Sequence, residues 1–232
     1  MLPVNSKILP DPEEVAAHAC RIVIAEAEAA LRERQVFRIV LAGGNTPRRT
    51  YEMLAGMAQD WRAWEIFWSD ERCLPAEHAG RNSRLAQEAW LSRVAIPAGQ
   101  IHAIPAELGA ARAAAEYTWL IVDRQPFDLL LLGMGDDGHT ASLFSTGGDP
   151  NAPVIAVHNA AKPPGERVSL NYQTLRACRQ QLVLVTGAEK AAALFAWQQG
   201  ADLPIAHAVR SDASLLADAE AGRSANFVAA AI

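Results

Sequence analysis

The stretch LGMGDDGHTASLF (132–144) places one imidazole, His139, among glycines and two aspartates directly after an apolar run. Gly135 and Gly138 permit positive φ and a close approach of substrate, and imidazole is the side chain that exchanges a proton near neutral pH. Taken alone, His139 is a candidate general base, metal ligand or helix-capping residue at the start of a short helix. A metal would need Asp136, Asp137 or Asp70 as co-ligands. No H-x-x-x-H or H-E-x-x-H supplies a second imidazole, which disfavours that reading. Ser142 lacks the G-x-S-x-G elbow, so a covalent serine intermediate is not indicated.

Three further clusters carry polar groups after apolar runs. In LAGGNTP (41–47), Gly43, Gly44, Asn45 and Thr46 form a turn whose backbone amides could hold a phosphate, or simply an ordinary strand-to-helix turn. In WSDERCLP (68–75), Asp70, Glu71 and Arg72 crowd one corner; such a triplet commonly marks a solvated loop. The last joins RVSL (167–170) to GAEK (187–190). Lys190, one of only three lysines, falls in the first turn of an expected helix, where the macrodipole disfavours a cation. A bound anion would rationalise it, as would plain solubility.

The elements that must position these groups follow from patterning. Asp11 as N-cap, Pro12 at the first helical position and Glu14 three residues on announce a helix to Arg34. Strands are expected at 36–41, 64–69, 127–132 and 181–186, with a weaker one at 101–104. Helices are expected at 46–57, 82–93, 107–122 and from 187 through 199. A loop spans 145–164 with a short strand at 154–158, and is either a lid or a connection. Alternating strands and helices imply an α/β fold with a mostly parallel sheet covered by helices on both faces. Ligands of such sheets sit beyond the carboxyl ends of the strands, where all four clusters fall. One domain over 1–232 is expected, a lobe appended after Gly165 being the alternative.

Composition narrows the function. The net charge is −5, and 18 of the 21 basic residues are arginines scattered along the chain. A nucleic-acid groove is therefore not expected, and an anion must be held by a few placed side chains and backbone amides. No apolar run approaches the roughly 18 residues of a membrane span, and the start of the chain lacks a basic stretch followed by an apolar one. Cys20, Cys73 and Cys178 are odd in number and far apart, which favours a reducing cytoplasm over a disulfide framework. Alanine-rich helix faces suit a monomer or a homodimer equally.

Together, GGNTP, SDERCLP, LLGMGDDGHTASLF, RVSL and VTGAEKA occur in the order and approximate spacing of the 6-phosphogluconolactonase family, which the sequence closely resembles from about Leu41 to Ala193. The resemblance implies a Rossmann-like fold shared with glucosamine-6-phosphate deaminases and ribose-5-phosphate isomerases. It also implies hydrolysis of 6-phosphoglucono-δ-lactone without a cofactor. His139 matches the family's general base, and Asp70 and Arg72 match its D-E-R motif. Gly43, Gly44, Asn45 and Thr46, with Arg167 and Lys190, fall where the family holds the sugar phosphate.

The chain departs from the pattern at Asn45, often Ser, at Ser145, commonly Pro, and at Ser169, often Thr. The first puts one side-chain contact to phosphate in question, while the backbone amides remain. Arg72 or nearby backbone N–H groups are the candidate oxyanion donors. Deaminase relatives continue G-H-I-A-F-N-E-P, supplying a carboxylate, whereas this chain has no acid between His139 and Asp149. A sugar-phosphate sensor without turnover is the other alternative; loss of His139 or Asp70 would mark it, and both are present.

Overall fold

Asp11 caps the first helix as expected: its carboxylate accepts the Glu14 N–H at 2.9 Å, Pro12 follows, and Gln35 ends the helix in the left-handed region at φ 62°. The computed structural model describes residues 1–145 and 151–224. Along the chain the elements are β1 (Asn5–Leu9), α1 (Pro12–Arg34), β2 (Phe37–Leu41), α2 (Asn45–Leu54), β3 (Trp64–Trp68), β4 (Asp70–Arg72), α3 (Asn82–Ala89), α4 (Ala110–Ile121), β5 (Phe127–Gly133), β6 (Val154–Val157), β7 (Arg167–Leu170), α5 (Tyr172–Arg176), β8 (Cys178–Val185), α6 (Ala191–Gln198), α7 (Pro204–Ala208), β9 (Ser214–Asp218) and α8 (Ala219–Gly222).

Six strands form a parallel sheet in the order β1-β9-β8-β5-β2-β3. From Phe127 to Leu132 every residue of β5 is buried. Successive side chains of a strand point to opposite faces, so both faces of the sheet are covered there. The chain progresses outward from β2 to β3, then crosses back to β5 and continues to β8 and β9. The resulting switch point lies between β2 and β5, where an open parallel sheet leaves a crevice at its carboxyl edge. Trp61, Trp64 and Trp90 pack edge-on or tilted at 4.8–5.7 Å between centroids beneath the β2–β3 side. Among the described residues no helix is long and apolar enough to cross a membrane.

Several expectations are corrected. The expected strand at 101–104 reduces to a single bridge from Ile101 to Ile66. The helix expected at 107–122 is interrupted: a 3-10 turn over Ala106–Leu108 precedes Gly109, whose φ of 85° separates it from α4. The helix at 82–93 ends as α3 at Ala89, with a 3-10 turn over Leu91–Arg93. The helix expected over 46–57 starts one residue earlier and stops at Leu54, with Gly44 and not Thr46 at its N-cap. The helix expected from 187 through 199 is a 3-10 turn over Ala188–Lys190 followed by α6. After Gly165 the chain supplies β7 to a small second sheet and β8 and β9 to the main one. Of the 145–164 loop, residues 146–150 lie outside the described residues, and β6 occupies the short strand expected there.

Candidate active site

The charged triplet after β3 is not a solvated loop. It is β4, the edge of a small antiparallel sheet ordered β4-β7-β6, in which Asp70 faces Ser169 and Arg72 faces Arg167. Ser69 joins the two sheets, donating its N–H to Leu41 O at 2.9 Å and accepting the Leu170 N–H at 2.8 Å. Alternation along a strand then separates the charges. Asp70, Arg72 and their partner Arg167 line one cavity, while Glu71 points the other way and is fully buried.

There the Glu71 carboxylate accepts the backbone N–H groups of Asn82 and Ser83 at 2.7 and 2.8 Å, satisfying the start of α3, and pairs with buried Arg81 at 3.4 Å. Arg81 keeps its pair with Glu107 at 2.6 Å, so Glu71→Ala acts chiefly by leaving the two N–H groups at the start of α3 without their acceptor. Loss of hydrogen bonds to a charged group is expected to cost about 1.5–3 kcal/mol in urea unfolding, and a loss below about 1 kcal/mol, the ceiling for exposed pairs, would contradict this structural role.

Asp70 is buried, at 5% exposed. It accepts Ser142 Oγ at 2.6 Å and Asn82 Nδ2 at 3.0 Å. Ser142 Oγ in turn accepts from Arg167 Nη1 at 3.3 Å. The rest of the Arg167 guanidinium is engaged by backbone: Nη2 donates to the carbonyls of Lys162 and Pro163, both at 3.0 Å, and Nε to that of Pro164 at 3.1 Å. Burial and the positive charge of Arg72 pull Arg167 below its ordinary pKa, against the attraction of Asp70 and Glu71. A bound anion would relieve that repulsion. Arg72 donates Nη1 to Gly80 O at 2.6 Å, and its buried Nε has no hydrogen-bond partner among the described residues.

His139 sits in a tight turn after β5 and does not begin a helix. The Gly135 N–H donates to His139 O at 2.7 Å, and Thr140 Oγ1 donates to Gly133 O at 2.8 Å. The ring lies so close beneath the turn that a Cβ on residue 135 would be 2.0 Å from its Nδ1, which is why only glycine fits. Nδ1 contacts Asp137 Oδ1 at 2.5 Å, and the ring packs against Phe144 at 4.6 Å between centroids. Burial raises Asp137, but the bonds from the His139 N–H and ring and the charges of His139 and Lys162 outweigh it, holding this carboxyl below its usual range. A carboxylate only accepts, so in the neutral ring the proton sits on Nδ1 and the lone pair on Nε2.

His139, Asp70, Arg72, Arg167 and Lys190 line one cavity of about 350 Å³ with Gly43 and Gly44. Asn45 and Thr46 do not line that cavity; they border an adjoining recess of about 280 Å³ that shares Gly43, Gly44 and Lys190 with it. Gly44, at φ 109°, is the N-cap of α2, and the N–H groups of the first turn lack intrahelical acceptors. Lys190 ends the 3-10 turn and serves as N-cap of α6 at the junction of the two recesses. Among the described residues no group of three His, Cys, Asp or Glu side chains could hold a metal ion.

This constellation lies at the switch point of an α/β sheet, and a family model for glucosamine-6-phosphate isomerases/6-phosphogluconolactonases matches residues 10–217. The chain belongs to this family. It is similar to the 6-phosphogluconolactonase of Nostoc sp., with 33% identity over 202 residues, covering 81% of this chain and 82% of that protein. The 6-phosphogluconolactonase of Synechocystis sp. is 38% identical over 179 residues, covering 71% and 72% of the two chains. Among solved structures, the 6-phosphogluconolactonase of Thermotoga maritima superposes with a TM-score of 0.85 at 30% identity, covering 92% of this chain and 98% of that one.

In this member of the 6-phosphogluconolactonase-type family, sequence reasoning missed three groups in the site. The sequence offers Asp137 only as a metal co-ligand, though its place two residues before His139 lets it bond both the ring and the backbone N–H. Asn82 lines the cavity through a long-range contact to Asp70 that no local spacing signals. Lys162 lines it as well, from the far end of the 145–164 loop. Its rarity as one of three lysines was the available signal.

Proposed function

We propose that the chain hydrolyses 6-phosphoglucono-δ-lactone to 6-phosphogluconate, with His139 as general base and the phosphate held by the Gly44–Thr46 turn, Lys190 and Arg167. The observation that carries this reading is a base oriented by a carboxylate in a cavity lined by cations and adjoining the recess that the first turn of α2 borders. Water bonded to Nε2 adds to the lactone carbonyl carbon as its proton passes to the imidazole. The tetrahedral oxyanion then collapses, breaking the bond from the carbonyl carbon to the ring oxygen. That oxygen takes the proton back from the imidazolium, and the new carboxylic acid ionises. Asp70 fixes Ser142 and Asn82 around the cavity, and Arg72 is the guanidinium available beside it.

The relatives named 6-phosphogluconolactonase support this substrate. Local chemistry supports it over amino-sugar-phosphate deamination: Phe144, packed on the His139 ring, stands where the deaminase pattern places Glu. Purified protein is expected to accelerate formation of 6-phosphogluconate well above spontaneous lactone opening in a coupled dehydrogenase assay, and to release no ammonia from glucosamine 6-phosphate. A lactone rate at the spontaneous background, as a sugar-phosphate sensor would give, or ammonia release would overturn the proposal.

The Asp137 contact yields a separate expectation. In Asp137→Ala the oxygen that accepts both the His139 backbone N–H and the ring Nδ1–H is lost, so neither the orientation nor the tautomer of the base is held. The variant is expected to lose roughly 10–100-fold in kcat at little-changed KM, measured in the same assay; unchanged kcat would show that Asp137 does not orient the base.

A further inference from the structure

Lactone opening changes the charge of its ligand. The substrate carries one anionic group, its phosphate, and the product carries two, because a carboxylate appears at the reacting carbon. In the proposed site Lys190 serves the phosphate end, and the guanidinium of Arg167 is largely committed to backbone carbonyls and Ser142. Of the two cations that remain, Arg72 is tied to Gly80 O through Nη1, and Lys162 is the one joined to the base through Asp137. Lys162 lines the cavity with its side chain 40% exposed; its ammonium pairs with Asp136 and lies 4.0 Å from Asp137 Oδ2. The other oxygen of Asp137 holds the His139 ring, so only the width of one carboxylate separates the ammonium from the imidazole.

Resting on the lactone-hydrolase reading, we propose that Lys162 grips the oxyanion of the reaction and the carboxylate it becomes. Its backbone is held in place, because Arg167, only 4% exposed, binds the carbonyls of Lys162, Pro163 and Pro164. Its side chain is free to exchange partners. Asp136 is 52% exposed, and ion pairs this open to water are weak. Transfer of the ammonium from Asp136 to a ligand oxygen is therefore inexpensive, whereas the new contact lies in the cavity, where charge-assisted bonds are stronger. Lys162 thus distinguishes the transition state and product from the substrate, which has no anion at that carbon.

The test compares two ligands that share a phosphate and a six-carbon chain: 6-phosphogluconate, and glucitol 6-phosphate, which carries an alcohol in place of the carboxylate. Wild type is expected to bind 6-phosphogluconate on the order of tenfold more tightly, as for one charge-assisted bond. Lys162→Met is expected to abolish that preference while leaving glucitol 6-phosphate binding unchanged, and to lower kcat more than it raises KM. Asp136→Asn, which releases the ammonium, is expected to tighten 6-phosphogluconate binding selectively. Retained preference in Lys162→Met, equal weakening of both ligands, or unchanged kcat would overturn the assignment. Absence of lactone turnover in wild type would instead overturn the reading on which it rests, so the two failures are distinguishable.

Discussion

Replacing His139 by alanine is expected to lower kcat for the lactone by about 10²–10⁴-fold, the usual contribution of a well-placed general base. The fold is expected to survive. The ring is 17% exposed and packs on Phe144 at the cavity wall, and the turn beneath it is closed by backbone bonds from Gly135 and by Thr140. The phosphate end of the cavity does not involve this ring, so KM is expected to change little. Thermal unfolding together with initial rates, corrected for spontaneous opening, checks both halves. Turnover near wild type in a folded variant would exclude His139 as the base.

The second large effect concerns the phosphate. Lys190→Ala removes a cation from the junction of the two recesses. A hydrogen bond to a charged group contributes about 1.5–3 kcal/mol, so KM for the phosphorylated lactone is expected to rise roughly 10–100-fold. The preference for phosphorylated over unphosphorylated lactone is expected to vanish almost entirely. Binding at a remote phosphate also orients the reacting carbonyl, so part of the loss is expected in kcat. The ratio of kcat/KM for the two lactones in wild type and variant reads this directly. An unchanged ratio would place the phosphate elsewhere.

Much of this arrangement was legible because it follows from local chemistry. The apolar run before Gly133 forms a strand in any context that buries it, and the Asp11-Pro12 pair starts a helix through its own capping bond. What stayed hidden depends on pairing between distant segments. β1 has no strand expectation in its sequence, because at the edge of the sheet most of its side chains remain in water and no apolar alternation marks it. The triplet Asp70–Arg72 reads as solvated charge until β7, about a hundred residues later in the chain, pairs with it and directs alternate side chains inward. Glu71 is then seen to start α3, a role unrelated to the chemistry of its two neighbours.

The site was legible in the same uneven way. The sequence singled out His139, Lys190 and the GGNTP turn from glycine placement and helix polarity, and these groups lie around adjoining recesses. Arg167 also lines the cavity, but most of its donors secure the Lys162–Pro164 backbone. It shapes the cavity wall besides presenting charge. The roles of Asp137 and Lys162 stay hidden because the backbone turn and the clamped loop that bring them beside the imidazole have no sequence period.

A crystal structure with 6-phosphogluconate bound to the otherwise intact protein tests the proposed chemistry most directly. The phosphate should rest on the first-turn amides of α2 and on Lys190, with the carboxylate carbon one water's reach from Nε2 of His139. A ligand bound in the opposite sense, with its phosphate against the imidazole, or seated outside this cavity, would contradict it.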